Sequence, residues 1–150
     1  MRWQRWLASG MLSLVGLTGC ATTGKQIASK EKSLYERLGG KAMIIAVVKD
    51  FADRVAWDRR VNRFFATTDM LSFQAKLVDQ ICEASGGPCK YTGRDMKTAH
   101  QGLSVTNADY DAVVEDLVTT LDKFKFWIPE KEKNELLAVL GPIRKDIVTK

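Results

Sequence analysis

Apolar residues in this sequence recur every third or fourth position, run after run, and nowhere alternate convincingly. Ile44, Val47, Val48, Phe51 and Val55 form one such stripe, and Leu71, Phe73, Leu77, Val78 and Ile81 a second. Tyr110, Val113, Val114, Leu117 and Leu121 follow, then Leu136, Leu137, Val139, Leu140, Ile143 and Ile147. A period near 3.6 puts each set on one side of a helix, so the spacing predicts an all-α domain. The punctuation agrees. A short turn over 33–38 closes at Gly39-Gly40, ahead of a helix over about 41–56, and Asp69 is an N-cap for the next, which Gly86-Gly87-Pro88 stops. Thr106, with Asp109 three residues on, reads as a capping box opening the longest helix, to about Phe126. Pro129 suits the first turn of a final helix, and Pro142 predicts a break in it near Gly141.

The first residues follow a different rule. Arg2 and Arg5 precede a short apolar run from Trp6 to Leu17, the pattern of a targeting segment too short to span a membrane. It ends in Leu17-Thr18-Gly19-Cys20, which resembles the bacterial lipobox. That resemblance implies removal of residues 1–19 and attachment of diacylglycerol to the Cys20 sulfur; an ordinary secretory signal with an incidental cysteine is the alternative. Ala21, not Asp, follows the cysteine, so in a Gram-negative cell the expected location is the periplasmic face of the outer membrane. A diacyl group with an N-acyl chain holds a protein stably where one chain is marginal. Small and polar residues from 20 to 32 read as a flexible, lipid-anchored tether, which leaves 33–150 as the folded domain.

A chain of 150 residues, 45% hydrophobic and 27% charged, suits one domain with a sizeable core. Its net charge is +5, and Arg2 and Arg5 lie in the segment expected to be removed. The remaining excess is spread among acids and makes no basic stripe, which argues against a nucleic-acid partner. Cys82 and Cys89 flank a Gly-Gly-Pro turn and are a disulfide candidate in an oxidising compartment. Two free thiols or two metal ligands are the other readings, the last needing further ligands nearby.

The only histidine is His100, in the stretch from Tyr91 to Val105. On a helix, Met96 four residues before it and Leu103 three after would share its face. An imidazole on an apolar wall can hold a metal axially, act as a base, or simply fill a core position.

Four features together resemble the group I truncated globins, over roughly three quarters of the chain, from about Leu34 to Val148. They are the opening Leu34-Tyr35-Glu36-Arg37-Leu38-Gly39-Gly40, the helix and corner from Phe51 to Phe65, the Gly86-Gly87-Pro88 and Tyr91-Thr92-Gly93-Arg94-Asp95-Met96 motifs, and His100 itself. The resemblance implies a two-over-two helical sandwich holding b-type haem (iron protoporphyrin IX), with His100 as the axial iron ligand. It further implies haem contacts from Phe65, Phe73, Lys76, Leu77, Arg94, Met96, Leu103, Val105, Val113 and Leu117. The physical requirements match: haem needs one neutral imidazole nitrogen on iron, a partner for the other ring nitrogen, apolar walls, and cations for its propionates. Lys76, Arg94 and Lys97 are the cations expected at the mouth.

The gas-binding side departs from the family pattern. Where group I members commonly carry a tyrosine after the phenylalanine matching Phe51, this chain has Ala52, and Leu77 stands where they often place a glutamine. Phe73 is the intervening position. Without these donors, bound dioxygen is expected to leave quickly. The leading function is a haem protein that reversibly binds a diatomic gas (O2, CO or NO) at the cell envelope, as carrier, scavenger or sensor. NO detoxification or peroxidase-like turnover by the same haem is the second reading, against which the apolar distal side argues. A haem-free envelope interaction lipoprotein is the third. Reduction of the iron would need an electron donor that the sequence does not identify.

Overall fold

The computed structural model describes residues 31–150. The expected signal segment 1–19, Cys20 and the expected tether as far as residue 30 lie outside the described residues. Every regular element among the described residues is helical.

Ser33 starts the fold. Its hydroxyl accepts from the Glu36 N–H at 3.2 Å and the Glu36 carboxylate accepts from the Ser33 N–H at 2.7 Å, a capping box for α1 (Leu34–Arg37). Gly39 and Gly40, at φ +93° and +70°, then turn the chain through the left-handed region into α2 (Gly40–Trp57). A one-turn 3-10 segment (Asn62–Phe64) makes the corner, with Val61 fully buried beneath it. Asp69 caps α3 (Met70–Ala84) by accepting from Leu71 N–H at 3.1 Å and Ser72 N–H at 3.4 Å. After the five-residue α4 (Met96–His100), the Thr106–Asp109 capping box opens α5 (Asn107–Lys123). α6 (Glu130–Leu140) follows Pro129. Pro142, which has no N–H to donate, tightens the next turn to 3-10 (Gly141–Ile143) before α7 (Arg144–Ile147).

α2 packs along α3 and against α5, while α1 lies on α6 and α4 on α7. The larger apolar cluster joins Val48, Ile81, Leu121 and Leu136 from α2, α3, α5 and α6 with Leu38 and Ile128 from the turns after α1 and α5. A fully buried leucine contributes roughly 1.5–3 kcal/mol over an exposed one, so Leu38, Leu121 and Leu136, each 2% exposed or less, dominate this half. The smaller cluster gathers Phe51, Val55, Val61 and Ala112, with Phe64, Phe65, Phe73 and Val113 packed around it. Leu77 and Leu117 touch both.

Buried polar groups tie α5 down. Arg54 donates to Thr120 Oγ1, which donates to Asp50, and Lys123 pairs with the same carboxylate. Asp109 accepts from the Thr106 N–H at 3.0 Å and hydroxyl at 2.7 Å and pairs with Arg63, which together hold its pKa down at about 2. Asp116 is the exception: it is buried and its Oδ2 has no hydrogen-bond partner.

Two sequence expectations need correction. Leu71 does not join the apolar side of α3; at its first turn it points outward, 79% exposed, because the corner before it holds only the following turns against the core. α5 ends at Lys123, not Phe126, where the Phe124 N–H turns to the Leu121 carbonyl at 2.9 Å.

Candidate functional site

α4 is short, so its caps decide where His100 points. Asp95 accepts from the Thr98 N–H at 2.9 Å, and the same bonds hold its carboxyl below the usual range. One turn later, His100 Nδ1 lies 2.8 Å from the Met96 carbonyl oxygen. A carbonyl only accepts, so Nδ1 carries the ring proton and Nε2 presents a lone pair. The ring is half-buried. Its environment thus selects the tautomer that ligates metal through Nε2.

The chain leaves α4 abruptly. Gln101 abandons helical geometry at ψ 128°, and Gly102 and Ser104 take φ +81° and +53°. This corrects the expectation that Leu103 shares a helix face with His100: Leu103 sits in the turn after the helix, its N–H bonded to the His100 carbonyl at 3.2 Å, and is 41% exposed. Val105 is buried, and its carbonyl accepts from the Thr149 and Lys150 N–H groups, which pins the C-terminus beside it.

Facing segments bring the other expected residues together. Phe65 and Phe73 meet edge-to-face with ring centroids 5.4 Å apart. Leu77, Val113 and Leu117 pack with them around the smaller cluster, and Ala52 is fully buried on α2. Among these side chains Ala52, Phe73 and Leu77 offer no hydrogen-bond donor. Lys76 reaches from α3 across to Thr92, Nζ to Oγ1 at 2.8 Å, at the edge of the segment that leads into α4. Arg94 is exposed, and its carbonyl accepts from the Tyr91 hydroxyl at 2.7 Å.

Gln80 carries no mark in the sequence pattern of a site residue. Its Nε2 lies 3.4 Å from Met96 Sδ, so it links α3 directly to the α4 turn that carries His100. The one available signal is spacing, since position 80 lies three and four residues beyond Leu77 and Lys76 on one helix face.

Cys82 and Cys89 are bonded, with Cα atoms 5.7 Å apart, which rules out the free-thiol and metal-ligand readings. The bridge ties the end of α3 to the segment before α4. Gly87 is required inside it: a Cβ there would meet the Tyr35 ring at 2.6 Å and Cys82 Sγ at 2.7 Å.

A family model for bacterial-like globins matches residues 33–149. The chain belongs to the bacterial-like globin family. Among curated relatives, this globin is 34% identical over 122 residues to the group 1 truncated hemoglobin of Tetrahymena pyriformis, covering 81% of the chain and 99% of the relative. It is 38% identical over 113 residues to that of a Synechocystis species, covering 73% and 90%. Its fold is similar to the Fe(III) form of the Tetrahymena pyriformis protein, with a TM-score of 0.74 and 34% identity, over 79% of this chain and all of the other. A Synechococcus 2/2 hemoglobin, solved in the cyanomet state with covalently attached heme, superposes with a TM-score of 0.73 at the same identity and coverage. The all-helical truncated-globin architecture expected from the sequence is the observed one.

Proposed function

We propose that this globin holds b-type haem through His100 and binds a diatomic gas reversibly while anchored by lipid at the bacterial cell envelope. The cofactor is haem, and globin membership supports gas binding as the coarse function. When bound, haem supplies an iron that takes O2, CO or NO. Everything else is the work of this chain's residues.

The observation that carries the reading is the bond from His100 Nδ1 to the Met96 carbonyl. It leaves Nε2 as the free donor a haem iron requires and stops the ring from rotating. The apolar walls fit a porphyrin: Phe65, Phe73, Leu77, Val113 and Leu117 are all half-buried, as a pocket wall should be, with Met96 on the His100 side. Lys76 bridges to Thr92 at the rim, within reach of an acidic haem edge, and Arg94 and Lys97 are exposed on the adjoining segment. Leu103, in the turn after α4, and the buried Val105 beyond it would complete the wall below His100.

Ala52, Phe73 and Leu77 place methyl, phenyl and isobutyl groups where a hydrogen-bonded gas would need donors. One such bond to a partly charged ligand is worth roughly 1.5–3 kcal/mol, or ten- to a hundredfold in dissociation. Fast release of O2 is therefore the expected behaviour, which suits exchange or sensing better than NO dioxygenation. A peroxidase-like reading would want a side chain able to move a proton; on that face of α3 the Gln80 amide cannot, which leaves Lys76.

The envelope location rests on Arg2, Arg5, the Trp6–Leu17 run and Cys20. No helix among the described residues is long and apolar enough to cross a membrane; the attachment proposed is the lipid on Cys20. Stopped-flow O2 and CO dissociation, with NO consumption in the presence of a reductant, tests the gas-binding reading: rapid O2 loss without sustained NO turnover is expected, and slow loss with turnover overturns it. Fractionation of Cys20→Ala cells tests the anchor, which requires the variant to leave the membrane fraction.

A further inference from the structure

From the loop between α5 and α6 we infer a second membrane contact, in which Phe126 and Trp127 insert into a phospholipid surface. The sequence there is Phe124-Lys125-Phe126-Trp127-Ile128-Pro129, and the fold sorts it by direction. Phe124 packs on the core, and Ile128 is 3% exposed within it. The N–H groups of Trp127 and Ile128 both close on the Phe124 carbonyl at 2.9 Å. Held at both ends, the loop has to project what lies between: Phe126 is 84% exposed and Trp127 62%. Their rings meet edge-to-face with centroids 6.3 Å apart, so they form one wedge.

The charges around the wedge suit an anionic headgroup layer. Lys125 Nζ lies 5.9 Å from the Phe126 ring centroid, and Lys131 is exposed on the first turn of α6. The neighbouring carboxylates are occupied, with Asp122 and Glu130 on Lys133 at 2.7 and 2.8 Å and Asp50 on Lys123. Aromatic rings with adjacent lysines are the side chains that favour the membrane–water boundary.

Placement supplies the other half of the inference. Arg37 bonds Glu132 at 3.2 Å, pairs with Glu135, and donates to the Lys32 carbonyl at 2.8 Å. Lys32 therefore lies beside the first turns of α6, the helix that follows the wedge in sequence. The 12 residues from 21 to 32 reach at most about 40 Å when extended. A domain tethered so closely meets the bilayer at high effective concentration, and a weak contact is enough to orient it. Two rings present roughly 300–500 Å², less than the roughly 800 Å² per partner of a standard protein interface, so a bilayer is favoured over a second copy.

This inference rests on the envelope reading only for the bilayer being within reach. The test separates the two by using residues 31–150 without Cys20; relatives that consist almost wholly of this region fold without the preceding segment. Co-sedimentation with vesicles of phosphatidylglycerol and phosphatidylethanolamine, read by protein stain so that haem content is immaterial, should pull down the domain. The double variant F126S/W127S should bind at least about tenfold less, with unchanged circular dichroism. Trp57→Ser, which removes an equally exposed ring on α2, should bind as before. The inference is overturned if the wild-type domain stays in the supernatant, or if the double variant binds as well as wild type. It is also overturned if sedimentation velocity finds a dimer that the double variant abolishes while vesicles capture neither, which would assign the wedge to a second copy.

Discussion

His100 Nδ1 and the Met96 carbonyl oxygen are 2.8 Å apart, one helical turn from each other on a helix of only five residues. A donor and acceptor on the same short helix make the imidazole's orientation a property of that helix. Whatever stabilises α4 therefore stabilises the lone pair on Nε2.

Asp95→Ala tests this coupling. The substitution removes the N-cap that accepts from Thr98 and leaves every wall residue in place. Haem transfer to an apoglobin acceptor should quicken by roughly fivefold, the scale of a lost cap, while the apoprotein should lose no more than about 4 °C in Tm. An unchanged transfer rate would show that α4 does not need its cap.

Leu77→Gln restores a donor on the α3 wall with little change of volume. O2 dissociation should slow by about tenfold or more, with CO dissociation changed far less because CO accepts hydrogen bonds poorly. Stopped-flow measurement decides it. Equal slowing of both gases would instead indicate that the substitution narrows the exit path.

The Cys82–Cys89 bridge closes a short loop between α3 and the segment before α4. Replacing both cysteines with serine should cost about 2 kcal/mol, or roughly 8 °C in Tm for a domain of this size. Dithiothreitol should lower the wild-type melt equally and leave the double variant unaffected.

Asp116 is pushed above the usual carboxylate range by burial, reinforced by the neighbouring Asp58 charge. The sign follows from linkage: an acid whose folded pKa is raised opposes folding while ionised, and this penalty shrinks as pH falls below the folded value and is gone below the ordinary one. Asp116→Asn should therefore raise Tm by a few degrees, about 3 °C, near neutral pH. The gain over wild type should shrink on acidification. A variant less stable than wild type at pH 7 would mean that the charge has a partner after all.

Much of the fold was legible because local chemistry decided it. The Asp69 cap, the Thr106–Asp109 box and the break at Pro142 each follow from one or two side chains acting on their own backbone. The disulfide and the His100–Met96 turn were legible for the same reason, since both pairs lie close in sequence. What failed depended on direction. Leu71 fits the α3 stripe by spacing, yet whether the first turn of a helix touches the core depends on the corner before it. Helical spacing puts Leu103 on the face of His100, yet Gln101, Gly102 and Ser104 end that helix first. Gln80 and Asp116 read as ordinary polar positions in sequence, and only the packing of α3 on α4 and of α5 on the α2 end gives them neighbours. The lipobox-like stretch and the expected tether as far as residue 30 lie outside the described residues, and the proposed anchor rests on Cys20 and its flanks alone.

The central claim is that His100 holds the haem. Visible spectra of the purified protein in ferric, ferrous and CO-bound states, recorded beside His100→Ala, test it most directly. Wild type should show a Soret band that shifts on reduction and again with CO, and the variant should lose normal coordination and most of its bound haem. A His100→Ala protein with wild-type spectra in all three states would contradict the account.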